Sequence, residues 1–266
     1  MKRRQFLQAA SLGLAATAVA KPAIAQTSPA IAQETEKLFA SDVVVRTMLA
    51  FKVPDAAVQK TLAAGWEINA PETGPDKGTN LIIYVTDFQM IQDPQGKPLP
   101  TRPSVALIVP AKKSGSALAA FMVTGGFVAQ ANTPGPYGNF SPAKVTVDRR
   151  SQSDGDGKTV VDETWTMKAD DGTGLEFRVQ FQRGVPAREK VAWGYYSAIK
   201  PDFHRTYRIE HGLDVVRSVP AGVDRVSTFS FKAVGPKLSP FFDGSERLIS
   251  MTSIPYYRAR STFRLD

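Results

Sequence analysis

Residues 125–148, GGFVAQANTPGPYGNFSPAKVTVD, form the stretch around which the rest of the chain is arranged. An apolar run over residues 117–123 leads into it, and a second run of β type follows it. Three prolines and two glycines beyond the first pair exclude a helix here. A stiff loop between two buried strands is a place where scaffolds position groups that contact a ligand, although a surface crossover without function would have the same composition.

The composition favours one large β-rich domain. The chain has 266 residues, of which 42% are hydrophobic, and it contains 20 Gly and 19 Pro but no Cys. The absence of Cys excludes disulfides, thiolate catalysis and thiolate metal sites. The formal net charge is +8, and four of the positive charges lie in residues 1–25, which contain no acid, so the remainder carries about +4. This charge is too mild to indicate nucleic-acid binding.

The first 25 residues have the pattern of an export signal. Arg3 and Arg4 precede an apolar, Ala-rich run over residues 7–20, and Ala23-Ile24-Ala25 forms a small-x-small cleavage site. The paired arginines resemble a twin-arginine signal. The apolar run is too short for the ~20 residues of a membrane span. We therefore expect a periplasmic protein that begins near Gln26 and has no membrane segment after the signal is removed.

The first half of the chain beyond the signal reads as strands with one short helix. A polar lead over residues 26–42 precedes the predicted domain, residues 43–266. Strands are predicted over residues 43–53, 80–91 and 105–109, a helix over residues 56–64 with Gly65 as its stop, and turns over residues 93–96 and 110–115.

The second half reads as a β-meander. Residues 159–168 and 174–182 form a predicted hairpin around Asp171-Gly172, and further strands are predicted over residues 207–216, 226–233 and 248–263. In the second strand of the hairpin Arg178 and its polar neighbours alternate with Phe177, Val179 and Phe181. The polar face is solvated in a sandwich, but in a closed barrel the inward face lines a cavity.

Familiar catalytic motifs are missing from the sequence. His204 and His211 are the only histidines, and their spacing fits no metal-binding motif. The chain lacks the Gly-x-Ser-x-Gly motif of a hydrolase and the Gly-rich motifs that bind phosphates. We expect no metal and no cofactor.

Lysine chemistry remains open. An amine in an apolar pocket, or beside another cation, has a lowered pKa and can form a Schiff base with a carbonyl compound. Lys112-Lys113 is an adjacent pair in a predicted turn, and Lys144 follows Pro142 at the edge of an apolar run. The ordinary alternative for each is a lysine whose stem lies along apolar surface while its ammonium group remains in water.

The order of these elements resembles the acetoacetate decarboxylase superfamily over residues 43–265. The resemblance rests on the Leu62-x-x-Gly-Trp turn, the strand that contains Asp87, the turn over residues 93–96, the strand into Gly125-Gly126 and the Pro-rich loop. It continues through the Asp-Gly hairpin, the Lys-Pro-Asp-Phe segment at residues 200–203 and the closing run over residues 246–265. Each motif is short, so the match depends on their order.

The resemblance implies a mainly β (α+β) fold, a closed, cone-like β-barrel with flanking strands and few short helices. The family's enzymes form a Schiff base through a lysine in this loop. Gly138 stands at that lysine's position here, and Gly126-Phe127-Val128 replaces a Gly-Arg-Glu pattern. The resemblance therefore implies a protein that has kept the cavity and lost the amine.

The favoured function is binding, or conversion without a Schiff base, of a small apolar or oxo-acid ligand, a carboxylate or carbonyl compound. Arg46 and Arg178 are the expected carboxylate ligands, Tyr84 and Tyr137 the hydrogen-bonding aromatics, and Gly126, Gly138 and Asn139 the remaining contacts. One alternative is a carbon–carbon lyase, a decarboxylase or aldol-type enzyme that uses Lys144. Another is a structural protein whose cavity is filled by aromatic side chains. Homo-oligomerisation is left open.

Overall fold

The structure, a computed structural model, describes residues 36–264. The predicted signal segment, residues 1–25, and the first part of the polar lead lie outside the described residues. The described part contains one short α-helix, α1 (Asp55–Gln59), and a 3-10 turn, Gln130–Asn132. Its strands are β1 (Glu36–Lys52), β2 (Trp66–Ile68), β3 (Leu81–Gln92), β4 (Pro98–Leu99), β5 (Ser104–Lys113), β6 (Ala119–Val128), β7 (Phe140–Pro142), β8 (Lys144–Ser153), β9 (Thr159–Lys168), β10 (Gly174–Gln182), β11 (Ala187–Ser197), β12 (His204–Ser218), β13 (Val223–Asp224), β14 (Val226–Val234) and β15 (Arg247–Arg264).

Seven strands close into a ring. They follow one another in the order β5-β3-β1-β15-β12-β11-β6, and β6 pairs with β5 to complete the circle. All pairs in the ring are antiparallel except β11 with β6. Register shifts interrupt the pairing of β15 with β1 and with β12, and such bulges let long strands curve around a barrel. The predicted closed β-barrel is confirmed.

The remaining four long strands form a separate sheet, in the order β14-β10-β9-β8. Its apolar face packs on the outside of the ring, where Trp165 and Phe177 share a core with Leu49 and Phe51 of β1. Polar bonds cross the same interface, since Thr47 donates to Glu163 Oε1 at 2.7 Å. The polar face of β10 is therefore solvated, as in a sandwich, and does not line the barrel.

A second core fills part of the ring's interior. Side chains that alternate along β1 point inward, so Val44 and Met48 meet Ile108, Trp193 and Ile254. Because β1 pairs with both β3 and β15, its inward residues lie between two other strands of the wall. The ring thus has an apolar outer contact with the second sheet and a separate interior.

Several predicted boundaries need correction. The helix ends at Gln59 rather than residue 64, because the chain tightens into turns in which Thr61 N–H donates to the Val58 carbonyl at 2.9 Å. A helix this short is stable only through its packing, and Val58 is its one buried residue. Residues 110–113 belong to β5 rather than to a turn, since backbone pairing with β6 continues to Lys112 and Lys113 pairs with Trp66 of β2.

The N-terminal and central boundaries also differ. β1 begins at Glu36, within the predicted polar lead, because pairing with β15 satisfies its backbone. Gly125 and Gly126 lie inside β6 rather than in the loop. No strand was predicted at β11, although the alternation of Val191, Trp193 and Tyr195 is a strand pattern.

Candidate functional site

A cavity of about 770 Å³ lies in the ring interior. Its wall combines inward side chains of the ring strands with the loop over residues 131–137 and Phe140. Most of the wall is apolar or aromatic, and five of its polar side chains are tyrosines. The polar lining residues include Asp42, Arg46, Tyr84, Thr86, Arg102, Ser104, Tyr137, Tyr195, Arg205, Tyr207, Tyr257 and Ser261.

Arg46 places a cation in this wall. It lies opposite Thr86 in the β1–β3 pairing, and its Nε donates to Thr86 Oγ1 at 3.1 Å. The guanidinium lies 4.7 Å from the ring centroid of Tyr84 and 4.3 Å from that of Tyr257. Its two terminal nitrogens have no hydrogen-bond partner within residues 36–264, and they are accessible from the cavity. They can donate two parallel hydrogen bonds to a carboxylate.

Arg46 remains charged in spite of its surroundings. Burial acts to lower the pKa of Arg46, but Tyr257, Tyr195, Tyr84 and Asp42 together raise it above its usual value. Two aromatic faces and the bond to Thr86 also restrict the side chain. The cavity therefore contains a fixed positive charge before any ligand arrives.

Five of the seven tyrosines line the cavity, and four of their hydroxyl groups form two hydrogen-bonded pairs. Tyr84 and Tyr195 share a hydrogen bond of 3.3 Å, and Tyr137 donates to Tyr207 at 3.2 Å. Burial raises the pKa values of Tyr84, Tyr137, Tyr195 and Tyr257. These four phenols are therefore neutral at physiological pH and act as hydrogen-bonding groups rather than anions.

The central loop brings Tyr137 to this position. Its backbone carbonyl accepts a bond from Ser197 Oγ at 2.8 Å, and its ring contacts Phe203 edge to face at 5.9 Å. Nearby, Phe140 packs against Gly126, where an added Cβ would lie 2.7 Å from the Phe140 ring. Gly126 thus leaves room for Phe140, and Phe140 lines the cavity.

Asp42 and Arg205 form a second polar region of the wall. Asp42 is 8% exposed and Arg205 is 6% exposed, and Asp42 Oδ1 and Arg205 Nε have no hydrogen-bond partner in the described part of the chain. Burial raises the pKa of Asp42 to about 6, although Arg46 and Arg205 act to lower it. The Arg205 guanidinium stacks on Phe39 at 3.5 Å.

His211 lies deeper in the ring and is not among the cavity-lining residues. It is fully buried between Trp193, 5.5 Å away, and Tyr257, 6.0 Å away, measured between ring centroids. Its Nε2 is 3.7 Å from Glu189 Oε2, beyond hydrogen-bonding distance. Burial, with a smaller contribution from Arg46, lowers the pKa of His211 to about 4, so the imidazole is neutral near pH 7.

Comparisons with known proteins show which solved structures share this fold. The sequence matches no protein-family model and no curated protein. An acetoacetate decarboxylase-like enzyme from Sphingomonas wittichii RW1 matches the structure with a TM-score of 0.53 at 12% identity, over 86% of this chain and 92% of that chain. The enduracididine biosynthesis enzyme MppR complexed with pyruvate matches with a TM-score of 0.55 at 11% identity, over 88% of this chain and 92% of that chain. The chain has the acetoacetate decarboxylase-like fold.

Within this acetoacetate decarboxylase-like fold, Gly138 lies outside the cavity wall. Its φ of +75° is a conformation that side chains rarely adopt, and a Cβ there would meet Ile199 at 3.4 Å and Lys200 at 3.7 Å. The neighbouring Asn139 donates to the Val123 carbonyl at 2.8 Å. Neither residue is among those that line the cavity. The loop residue that reaches the interior is Tyr137, one position earlier.

Arg178 and the candidate lysines lie away from the cavity. Arg178 is on the solvated face of the second sheet, where it pairs with Asp162 at 3.2 Å. Lys144 begins β8 in the same sheet, exposed and opposite Lys168. Lys112 pairs with Glu67 at 3.2 Å on the surface. Of residues 36–264, no lysine lines the cavity.

Sequence reasoning missed Asp42 and Arg205. The alternation of side chains along β1 could have identified Asp42, because Asp42, Val44 and Arg46 share the inward face of this strand.

Among the residues described, no group of three or more His, Asp or Glu could hold a metal ion. None of the helices in that part of the chain is long and apolar enough to cross a membrane.

Proposed function

We propose that this is an exported protein that binds a small apolar or oxo-acid ligand, a carboxylate or carbonyl compound, in the ring cavity without a Schiff base. The supporting observation is Arg46, whose terminal nitrogens lack protein partners in a cavity with no lysine among its described lining residues. The cavity volume of about 770 Å³ is typical of small-molecule sites. MppR, which shares the fold, has been solved with pyruvate bound.

In this proposal the ligand carboxylate accepts two hydrogen bonds from Arg46. The Tyr84–Tyr195 hydroxyl pair lies in the same wall and donates to a carbonyl or hydroxyl oxygen of the ligand. Any conversion in this cavity uses polarisation by Arg46 and the phenols, since an imine requires an amine. The alternative of a filled, purely structural barrel does not fit the cavity volume, and Lys144 lies on the outer sheet.

Calorimetric titration with pyruvate and acetoacetate tests the role of Arg46. A hydrogen bond to a charged group contributes about 1.5–3 kcal/mol, and 1.4 kcal/mol is a factor of ten in affinity. Arg46→Gln should therefore weaken binding of these acids at least tenfold. Arg178→Gln is the matched control, because Arg178 is 62% exposed on the second sheet, and it should leave the affinity unchanged. Equal affinities for Arg46→Gln and the unmodified protein would refute the proposed site.

Export is tested separately by intact-mass measurement on periplasmic material. We expect a chain that lacks residues 1–25, because the paired arginines, the apolar run and Ala23-Ile24-Ala25 form a complete signal. Replacement of Arg3-Arg4 by Lys-Lys should retain the precursor inside the cell. A periplasmic mass that includes Met1 to Ala25 would contradict cleavage.

A further inference from the structure

The charges of the cavity wall sum to a single positive charge. Arg46 and Arg205 are cationic, Asp42 is anionic above its pKa of about 6, and the four phenols with raised pKa values are neutral. Arg102 also lines the rim, but it is exposed and its Nη1 bonds to the Thr101 carbonyl, so solvent screens its charge. The wall therefore complements a monoanion.

Asp42 interacts with both guanidinium groups of the wall. Arg46 and Arg205 each act to lower the pKa of the Asp42 carboxyl, and the effect of Arg46 is the larger. Arg205 is also held on the ring of Phe39 at 3.5 Å. The single carboxylate offsets one of the two guanidinium charges, so a second carboxylate on a ligand would meet no further net positive charge.

Much of the cavity wall is aromatic. Three phenylalanines, Phe39, Phe88 and Phe140, line the cavity together with the five tyrosines. A three-carbon acid would occupy a small part of about 770 Å³ and leave most of these ring faces in contact with water. Ring faces of this kind stack with flat unsaturated groups, and the buried apolar area adds to affinity.

We infer that the preferred ligand is a monocarboxylic acid with a flat aromatic or conjugated body. Its carboxylate binds Arg46, its body lies against the aromatic wall, and Asp42 disfavours a second carboxylate. This inference rests on the proposed function, because it assumes that Arg46 binds a carboxylate. It adds the substrate class and makes Asp42 a residue that determines specificity.

Three oxo acids separate these features in calorimetric titrations of the purified protein at pH 7.5. Phenylpyruvate has the carboxylate and the aromatic body, pyruvate lacks the body, and oxoglutarate replaces it with a second carboxylate. We expect phenylpyruvate to bind at least tenfold more tightly than either of the others. Asp42→Asn should reduce the ratio of the oxoglutarate and phenylpyruvate dissociation constants at least fivefold. It should leave the ratio of the pyruvate and phenylpyruvate dissociation constants unchanged.

Asp148→Asn is the matched control, since Asp148 is 63% exposed on the second sheet, and it should change neither ratio of dissociation constants. If pyruvate or oxoglutarate binds as tightly as phenylpyruvate and the binding still depends on Arg46, the inferred substrate class is wrong while the proposed function stands. If none of the three acids binds, or if Arg46→Gln has no effect, the proposed function itself fails. The ranking in the unmodified protein tests the inference even if Asp42→Asn does not fold.

Discussion

Asp42 makes the interior sensitive to pH at the scale of a single residue. Its pKa is raised from 3.8 to about 6 by burial, so the folded state favours the protonated carboxyl. A raised pKa contributes stability that is fully present below pH 3.8 and is lost as the pH rises through about 6. The facing charged groups, Arg46 and Arg205, reduce this effect without abolishing it.

His211 acts in the opposite direction. Its pKa is lowered from 6.5 to about 4, so its contribution is present above pH 6.5 and is lost as the pH falls through about 4. The two effects oppose each other between pH 4 and 6.5, and the pH profile of the unmodified protein does not separate them. Comparing the unmodified protein with a variant that lacks one of the two groups separates their contributions to stability.

Asp42→Asn should gain stability relative to the unmodified protein as the pH rises from 4 to 8. The variant has no carboxyl to ionise in the buried wall, and the difference between 3.8 and about 6 corresponds to at most about 3 kcal/mol. Urea unfolding at both pH values measures this difference, and the His211 contribution cancels because both proteins contain it. A difference that stays constant from pH 4 to pH 8 would show that the carboxyl of Asp42 titrates normally.

Strand β6 shows how a backbone position supports the site at the scale of an element. A Cβ at Gly126 would lie 2.7 Å from the Phe140 ring, whereas a Cβ at Gly125 would lie 3.8 Å from Leu107, an ordinary contact. The two adjacent glycines in one strand therefore differ in what surrounds them. Only Gly126 is required by a neighbouring side chain.

Gly126→Ala should destabilise the protein by about 1–3 kcal/mol, because overpacking forces Phe140 to shift. The same shift should weaken ligand binding, since Phe140 lines the cavity. Gly125→Ala is the matched control and should be close to neutral in both respects. Denaturant unfolding and pyruvate titration of the two variants check this pair. Equal effects at Gly125 and Gly126 would show that the Phe140 contact is not what requires a glycine.

Elements with local signals could be predicted from the sequence. Strands β9 and β10 have the predicted bounds, because their alternation and the Asp171-Gly172 turn are contained in one continuous segment. The closure of the ring depends on pairing between distant segments, such as Tyr195 of β11 beside Phe121 of β6. Pairing of this kind leaves no mark within either segment.

The same limit applies to the site. Arg46, Tyr84 and Tyr137 line the cavity, as expected, but whether they bind a ligand remains a prediction. Arg178 has an equally convincing alternation, yet its strand belongs to the outer sheet, and alternation alone does not say which sheet a strand joins. The positive φ of Gly138 decides that a side chain at this position would point toward Ile199 and Lys200, and the order of motifs does not reveal this φ.

At the scale of the whole molecule, the ring and the outer sheet have separate roles. The outer sheet is held to the ring by an apolar core and by Arg149, which pairs with Glu163 at 2.8 Å and with Asp87 at 3.2 Å. The cavity lies on the other side of the ring wall, so candidate amines such as Lys144 on the outer sheet do not reach it. The cations of the interior are guanidinium groups, which do not form imines with carbonyl compounds.

Borohydride reduction in the presence of acetoacetate or pyruvate is the most direct test of the claim that the ligand binds without forming a Schiff base. Reduction converts a Schiff base into a stable adduct, and it leaves a carboxylate bound by Arg46 untouched. Intact-mass measurement and peptide mapping should show an unmodified protein, under conditions in which calorimetry detects binding of the same acid. A mass increase that maps to Lys144, Lys112, Lys113 or any other lysine would contradict ligand binding without a Schiff base.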